Sequence, residues 1–358
     1  MKKLFSILMA LCMVLAMTAC GGNAAPASEP AEPAAEPAAP AAEPAAEPAA
    51  EPAEPAAAGK VYKVAMICDS SISDGGWGAA CYNAMVTAAE AHGWEHMYTD
   101  SIEVSAYVES MTSYCALGYD MIFAPGNQYS DAVKEVAAEY PDVYFAVLNG
   151  NEALPTDNIT SVLPNADQIG YLAGAMAGLM SKSNTLGFIG GMELDTTKAK
   201  LAGYEAAAKA LNPNIKVLSA YAGSFNDTAK GMELAASMIS EGADVFFGDA
   251  SAVDSGARQA IDNANGSGEI KIYDIGQPAD LLGQNPCVIT SVVTDNAGML
   301  GLCMDAVENG NFGNAVVYGT LENGCLSAGK INEDLVPADV AAKYLELVAQ
   351  MTAGTFPA

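Results

Sequence analysis

The stretch SISDGGWGAACYNAM, residues 71–85, sets one tryptophan, Trp77, on a Gly-softened polar turn. An apolar run, VYKVAMIC at 61–68, precedes it and a helical pattern follows. A large aromatic there either offers a flat face for stacking a ring or plugs the first helix against a sheet. Asp74, just ahead of Gly75 and Gly76, either accepts a hydrogen bond from a ring N–H or caps the helix. Asn127 and Gln128 carry donor and acceptor together, which suits a base edge, and they suit equally a turn before a helix at Ser130. Tyr129 is a further stacking candidate. Phe225 and Asp227 in GSFND, Asp249 and Ser251 after DVFFG, Gln277 after IKIYDIG and Thr294 after CVITSV complete the candidates. Asp227 can instead cap the helix TAKGMELAASM. Phe247 either stacks opposite Trp77 or fills a strand core. Such residues suit a neutral, partly aromatic small molecule. No Ser/His/Asp set is readable, and neither GFIGGM nor another Gly stretch completes a phosphate loop or dinucleotide fingerprint. His92 and His96 flank Gly93 and Trp94 at a helix end and read as a helix C-terminal partner and a surface residue rather than metal ligands. Catalysis, cofactors and metals are not expected.

These residues need elements to hold them. From Val61 onward, near-continuous apolar runs such as DMIFA (120–124), VYFAVL (143–148), TLGFIGG (185–191) and DVFFG (244–248) alternate with amphipathic stretches. That alternation implies parallel sheets covered on both faces. The runs are too many for one compact open sheet, so two doubly wound α/β lobes are expected. Open sheets of this kind bind ligands outside the carboxyl ends of their strands, which is where every candidate above falls.

The chain has 358 residues and a formal net charge of −28, with 15 basic residues of which Arg258 is the single arginine. It has no basic stripe to neutralise phosphates, which argues against nucleic acid as a partner and against a large anionic substrate held by an Arg fork. Arg258 lies in a helical pattern and reads as a surface residue. The opening MKKLFSILMALCMVLAMTAC has a basic start and a short apolar stretch, the pattern of a secretory signal over residues 1–19. Its end, MTAC, resembles the bacterial lipobox, which would make Cys20 a lipidated anchor holding the protein to the membrane. Residues 20–59 are Ala/Glu/Pro-rich, low in complexity and extended, and read as a tether reaching on the order of 100 Å. The six further cysteines form no CxxC pair, so no zinc ribbon is suggested.

Five stretches in order resemble the basic-membrane-protein/PnrA-like family of ABC-importer substrate-binding lipoproteins: VAMICDSSISDGGWGAACYNAM, APGNQYSDAVKEVAAEYPDVYFAVLNG, QIGYLAGAMAGLMSKSNTLGFIGGM, NPNIKVLSAYAGSFNDTAKGMELAASMISEGADVFF and IGQPADLLGQNPCVITSVV. The resemblance covers roughly residues 61–330. It implies the type I periplasmic-binding-protein fold, in which two lobes joined by a three-crossing hinge close around a solute and present it to a membrane permease. The crossings are expected near residues 150–160, 291 and 312. The N-terminal lobe is then 60–155 plus 292–312, and the C-terminal lobe 156–291 plus 313–358. The resemblance also implies a nucleoside site in which Trp77 takes the base-stacking place. The chain departs from the pattern elsewhere: Gly78 stands for the family's Asn, Gln277 for its ribose-binding Asp and Thr294 for its Lys. The aromatic half of the site is retained and the ribose half rebuilt, which fits a nucleobase, a modified nucleoside or another flat heteroaromatic. The expected protein is a monomer anchored on the extracytoplasmic face of a membrane, of Gram-positive type, working with an ABC permease. A ligand sensor for a membrane partner and a surface nucleoside-processing enzyme are the alternatives.

Overall fold

The computed structural model describes residues 60–73 and 77–357. Cys20, the signal and tether segments, and Asp74 lie outside the described residues. The chain runs β1 (Lys63–Ile67), α1 (Trp77–His92), β2 (Glu95–Thr99), α2 (Tyr107–Ala116), β3 (Met121–Ala124), α3 (Ser130–Glu139), β4 (Tyr144–Leu148) and β5 (Ile159–Pro164). It continues through α4 (Ala166–Met180), β6 (Thr185–Gly190), α5 (Asp195–Leu211), β7 (Lys216–Tyr221), α6 (Thr228–Ser240), β8 (Val245–Asp249), α7 (Ala252–Asn265), β9 (Tyr273–Gly276) and β10 (Val288–Thr294). It ends with α8 (Asn296–Glu308), β11 (Val317–Gly319), β12 (Leu326–Ala328) and α9 (Ala338–Thr352). Two six-stranded sheets result, ordered β11-β5-β4-β3-β1-β2 and β12-β10-β9-β8-β6-β7. All pairings are parallel except β10 with β12. Strands such as β3 (MIFA) and β8 (VFFGD) are buried along nearly their whole length, as sheets covered by helices on both faces require. This is the two-lobed, doubly wound architecture expected.

The chain passes between the sheets three times. It leaves the first at the end of β5 and enters α4, which packs with the second sheet's helices α5 and α9. It leaves the second at the end of β10 and enters α8, which packs on α1. It returns from the end of β11 to β12, whose Leu326 pairs with Thr294 at the end of β10. The crossings thus fall after Pro164, Thr294 and Gly319, each past the position expected near 150–160, 291 and 312. The first and last differ because β5 and β11 both belong to the first sheet. In β5, Thr160 and Ser161 interrupt the apolar run yet are fully covered. Their hydroxyls donate to the carbonyls of Ala315 and Asn151, each at 2.6 Å, so polar side chains cost little in this buried strand. Both helices that follow a crossing are capped at once. Asn165 accepts from the Gln168 amide at 3.1 Å and Asp295 from the Gly298 amide at 2.9 Å. Cross-links brace the crossings against one another: the Asn165 amide donates to Gly319 O and the Asp295 amide to Cys325 O, both at 2.8 Å. Because every crossing leaves or joins a sheet at its carboxyl edge, both carboxyl edges border the hinge.

In the second lobe, α4 and α5 meet through the glycines of GYLAGAMAG. A Cβ on Gly170 would lie 2.3 Å from the Lys200 carbonyl oxygen, and one on Gly174 would lie 2.2 Å from that of Tyr204. Neither backbone can be closer, and no methyl fits. Cys115, Cys287, Cys303 and Cys325 are buried free thiols. Burial pushes the Cys115 thiol up to about 11 and that of Cys303 to about 12.

The helix contact generates a direct expectation. Gly174→Ala should destabilise the protein by about 1–3 kcal/mol in urea unfolding, the usual range for overpacking. Gly178→Ala, whose Cβ would lie 3.1 Å from Ala208 Cα, should cost less. Equal and negligible losses would mean that the seam relaxes freely.

Candidate functional site

At the carboxyl edge of the first sheet, Trp77 opens α1 and its indole Nε1 donates to the Pro125 carbonyl, 2.8 Å away, in the loop after β3. The ring is therefore held in one orientation while remaining 36% exposed. The chain's second tryptophan, Trp94, is the buried one. It stacks on Tyr62 with ring centroids 4.9 Å apart and donates to Glu308 Oε1 at 2.7 Å. The same edge carries a carboxylate that sequence reading did not single out, Asp69, two residues past the end of β1. Its amide donates to Tyr129 Oη at 2.6 Å, and its Oδ2 accepts from Tyr107 Oη at 3.1 Å and Gln128 Nε2 at 3.0 Å. Burial alone would raise this carboxyl, but the hydrogen bonds from Gln128, Tyr129, Tyr107 and Ser70 prevail and hold it below the ordinary carboxylate range. Burial, reinforced by Asp69, pushes the Tyr107 phenol up to about 12, and burial raises Tyr129 further. Both stay protonated donors.

At the carboxyl edge of the second sheet, Asp249 ends β8 and Gln277 follows β9. Lys200 and Thr197, one helical turn apart on α5, reach the same carboxylate. Lys200 Nζ lies 2.7 Å from Asp249 Oδ1, and Thr197 Oγ1 donates to Oδ2 at 2.6 Å. Gln277 Oε1 accepts from Lys200 at 3.3 Å, and its Nε2 donates to Asp249 Oδ1 at 3.2 Å and to the Gly248 carbonyl. The Lys200 and Asp249 side chains are 13% and 18% exposed, so the pair is largely desolvated but reachable. Neither Lys200 nor Thr197 was a sequence candidate. Their i, i+3 spacing put them on one helical face, but which face looks at β8 depends on how α4 seats α5.

The remaining candidates sort by contact. Asn127 is exposed, yet its side-chain oxygen already accepts from Ser130 Oγ and Asn151 Nδ2, each at 3.0 Å. Its amide nitrogen is the part left to act as a donor. Tyr129 is buried and its hydroxyl serves Asp69, so it is no stacking surface. Phe247 is likewise a core residue, packed with Phe188 and Tyr204. Phe225 is half-buried with its ring against Gly191 at the end of β6, and its carbonyl accepts from the Ala252 amide at 3.0 Å. Asp227 caps α6, accepting from the Lys230 amide at 2.9 Å. Ser251 is exposed with φ 57° and ψ −116°, a conformation glycine tolerates better, and it stands at the N-cap position of α7 with no side-chain capping hydrogen bond. Thr294 sits at the second crossing, its amide donating to the Pro278 carbonyl at 2.8 Å, and it shares no hydrogen bond with the Lys200 group.

Arg258 is not a surface residue. Its Nε meets Asp274 Oδ2 at 2.6 Å with both side chains mostly covered, because α7 lays that face on β9. Next to it, Asp254 is buried in the first turn of α7. Its Oδ2 accepts from the Ala250 amide at 3.0 Å, tying the loop of Asp249 to the helix, while its Oδ1 has no hydrogen-bond partner. Burial drives its carboxyl up to about 7, against the opposing pull of Arg258.

His92 packs on α8, with Nδ1 3.4 Å from Glu308 Oε1 and 3.8 Å from Asp305 Oδ1, the helix-end partnership expected. Those three groups could offer ligand atoms to a cation, but Glu308 is already engaged by Trp94. A surface depression of about 670 Å³ lies at the amino ends of the second sheet, near Lys182, Asp244 and Lys271, away from both carboxyl edges. Asp244 there is satisfied by Ser181 and by the amides of Lys182 and Ser183.

Comparison with known proteins fits this geometry. The family model for PnrA-like ABC transporter substrate-binding proteins matches residues 61–340. The chain belongs to that family. It is 30% identical over 264 residues to the ABC transporter nucleoside-binding protein BmpA of Lactococcus lactis, a match spanning 70% of this chain and 75% of that one. It is 29% identical to basic membrane protein B of Borreliella burgdorferi over 77% of this chain and 83% of that one. Among solved structures, a solute-binding protein of an ABC transporter system from Conexibacter woesei superposes with a TM-score of 0.67 at 24% identity, over 83% of this chain and 98% of that one. These are binding proteins rather than enzymes. The described residues contain no helix long and apolar enough to cross a membrane.

Asp254 gives a pH-dependent expectation. An unfolded carboxyl titrates near about 4, so between there and about 7 the folded protein keeps a proton that the unfolded chain has released. This group therefore favours the fold most at the acid end of that window, and its contribution falls as pH rises through it. Asp254→Asn should match the parent's melting temperature at about pH 3.5 and exceed it increasingly as pH rises to about 8. A constant difference across that range would show that Asp254 does not titrate there.

Proposed function

We propose that this PnrA-like protein captures a flat heteroaromatic solute, a nucleobase or nucleoside-like molecule, between the carboxyl edges of its two sheets and delivers it to an ABC permease. The observation that carries the reading is Trp77, fixed through Pro125 yet open on its surface, a ready platform for a ring. The first carboxyl edge adds the Asn127 amide, and the second offers Gln277 and the Thr197–Lys200–Asp249 group, with Phe225 and Ser251 on neighbouring loops. The L. lactis relative is named as a nucleoside-binding protein, which supports the same ligand class. The N-terminal sequence supports anchoring through a lipidated Cys20 behind a signal at 1–19, with residues 20–59 as the tether on the extracytoplasmic face. The lobes we assign are the two sheets with their helices, acting as a monomer. No cofactor enters the cycle.

Thermal-shift and calorimetric titration with nucleobases, nucleosides, flavins and sugars tests this. A heteroaromatic ligand should raise the melting temperature by mass action, and Trp77→Ala should weaken its binding about tenfold or more, the scale of a lost stacking contact plus its buried area. Stabilisation by sugars or peptides alone, indifferent to Trp77, would overturn the ligand assignment and leave the fold untouched.

A further inference from the structure

Rigid donor–acceptor groups at the end of a site decide what charge a ligand can carry. We propose that Lys200 and Asp249 set the charge selectivity of this site, admitting a neutral hydroxyl-bearing group and rejecting a phosphate. This rests on the heteroaromatic reading above and concerns the end of the ligand away from Trp77.

Lys200 is the cation that joins Asp249 and Gln277 at the second carboxyl edge; Lys198, on the same helix, pairs instead with Glu193 in the loop after β6 at 3.5 Å. The Lys200 charge is spent internally. Nζ is 2.7 Å from Asp249 Oδ1 and 3.3 Å from Gln277 Oε1. Thr197 and Gln277 complete the carboxylate's shell at 2.6 and 3.2 Å. The group is neutral in sum and presents an ammonium beside a carboxylate. A hydroxyl is both donor and acceptor and can serve both at once. A phosphate is acceptor-only and dianionic. It gains from the ammonium what it loses to the carboxylate a few ångströms away, and it must still shed its water. Either residue alone would behave differently. A lone lysine here would attract anions, and a lone carboxylate would carry an uncompensated, mostly buried charge. The chain's net charge of −28 adds repulsion in the same direction. Asp249 is thus the repulsive element that specificity of this kind needs. The roll of α5, fixed where the Lys200 carbonyl abuts Gly170, holds the ammonium in place.

Calorimetric titration of the protein with three matched sets tests the proposal: adenine, adenosine and adenosine 5′-monophosphate, with the guanine and uracil series alongside. The parent should bind its preferred nucleoside at least about tenfold tighter than the 5′-monophosphate. Asp249→Asn frees the ammonium and should improve the monophosphate relative to the nucleoside by about tenfold. The double variant Lys200→Met/Asp249→Asn removes both charges together, the change that buried pairs tolerate best. It should weaken the nucleoside about tenfold and change the free base by less than about threefold. An unchanged nucleoside-to-monophosphate ratio in a folded Asp249→Asn overturns the charge assignment alone. If that variant fails to fold, an unchanged nucleoside-to-base ratio in the double variant does so instead. A parent that binds none of the nine compounds overturns this proposal and the heteroaromatic reading together. A parent that binds bases through Trp77 but prefers the monophosphate overturns only the former.

Discussion

The close approach of α4 to α5 is the contact on which the second half of the molecule depends. α4 is the first element after the chain enters the second lobe, and α5 carries Thr197 and Lys200. With backbone against backbone at Gly170 and Gly174, the two helices have a single depth and roll. Any side chain in the seam would lift α5 from α4 and swing Lys200 away from Asp249. Small residues here are a positional constraint as much as a packing one, because interiors at this density transmit a displacement rather than absorb it.

The two carboxyl edges differ in how they handle charge. The first holds a carboxylate, Asp69, that phenols and an amide keep ionised without a cation. The second holds an ion pair nested in neutral donors. Behind it, α7 lays a further pair, Arg258 with Asp274, and a carboxyl, Asp254, against the sheet. Ionised groups this far from water persist because each has partners or titrates upward. Asp254 does the latter, and its Oδ1 is left without a hydrogen-bond partner behind the loop after β8.

Much of this was legible in the sequence, for a definite reason. Strands buried on both faces are apolar without interruption, so VAMI, MIFA and VFFG declare themselves, and strand-to-helix loops then locate Trp77 and Asn127 at the carboxyl edge of the first sheet and Asp249 and Gln277 at that of the second. What escaped notice broke that rule. β5 hides Thr160 and Ser161 by giving their hydroxyls to backbone carbonyls, so the first crossing was placed too early. β2, EHMYT, is an edge strand open to solvent and has little apolar signature. Arg258, Thr197 and Lys200 lie on helices whose rotation is set by a partner helix or sheet. Composition reads such residues as surface; only tertiary packing turns them inward. Asp69 was in view just past a strand, but its role comes from Tyr107 on α2 and from Gln128 and Tyr129 ahead of α3, two segments distant in sequence.

The buried thiols have a chemical consequence of their own. Thiolate, not thiol, attacks disulfides, alkylating agents and peroxides. With Cys115 raised to about 11 and Cys303 to about 12, the thiolate fraction at neutral pH is on the order of one in ten thousand or less, and the sulfurs are shielded besides. In the native state these residues are close to inert towards oxidants outside the cell. On unfolding they regain ordinary acidity and access together. Reaction at these sulfurs is therefore a clock that runs only while the protein is open, and an oxidation there would oppose reclosure until it is reversed.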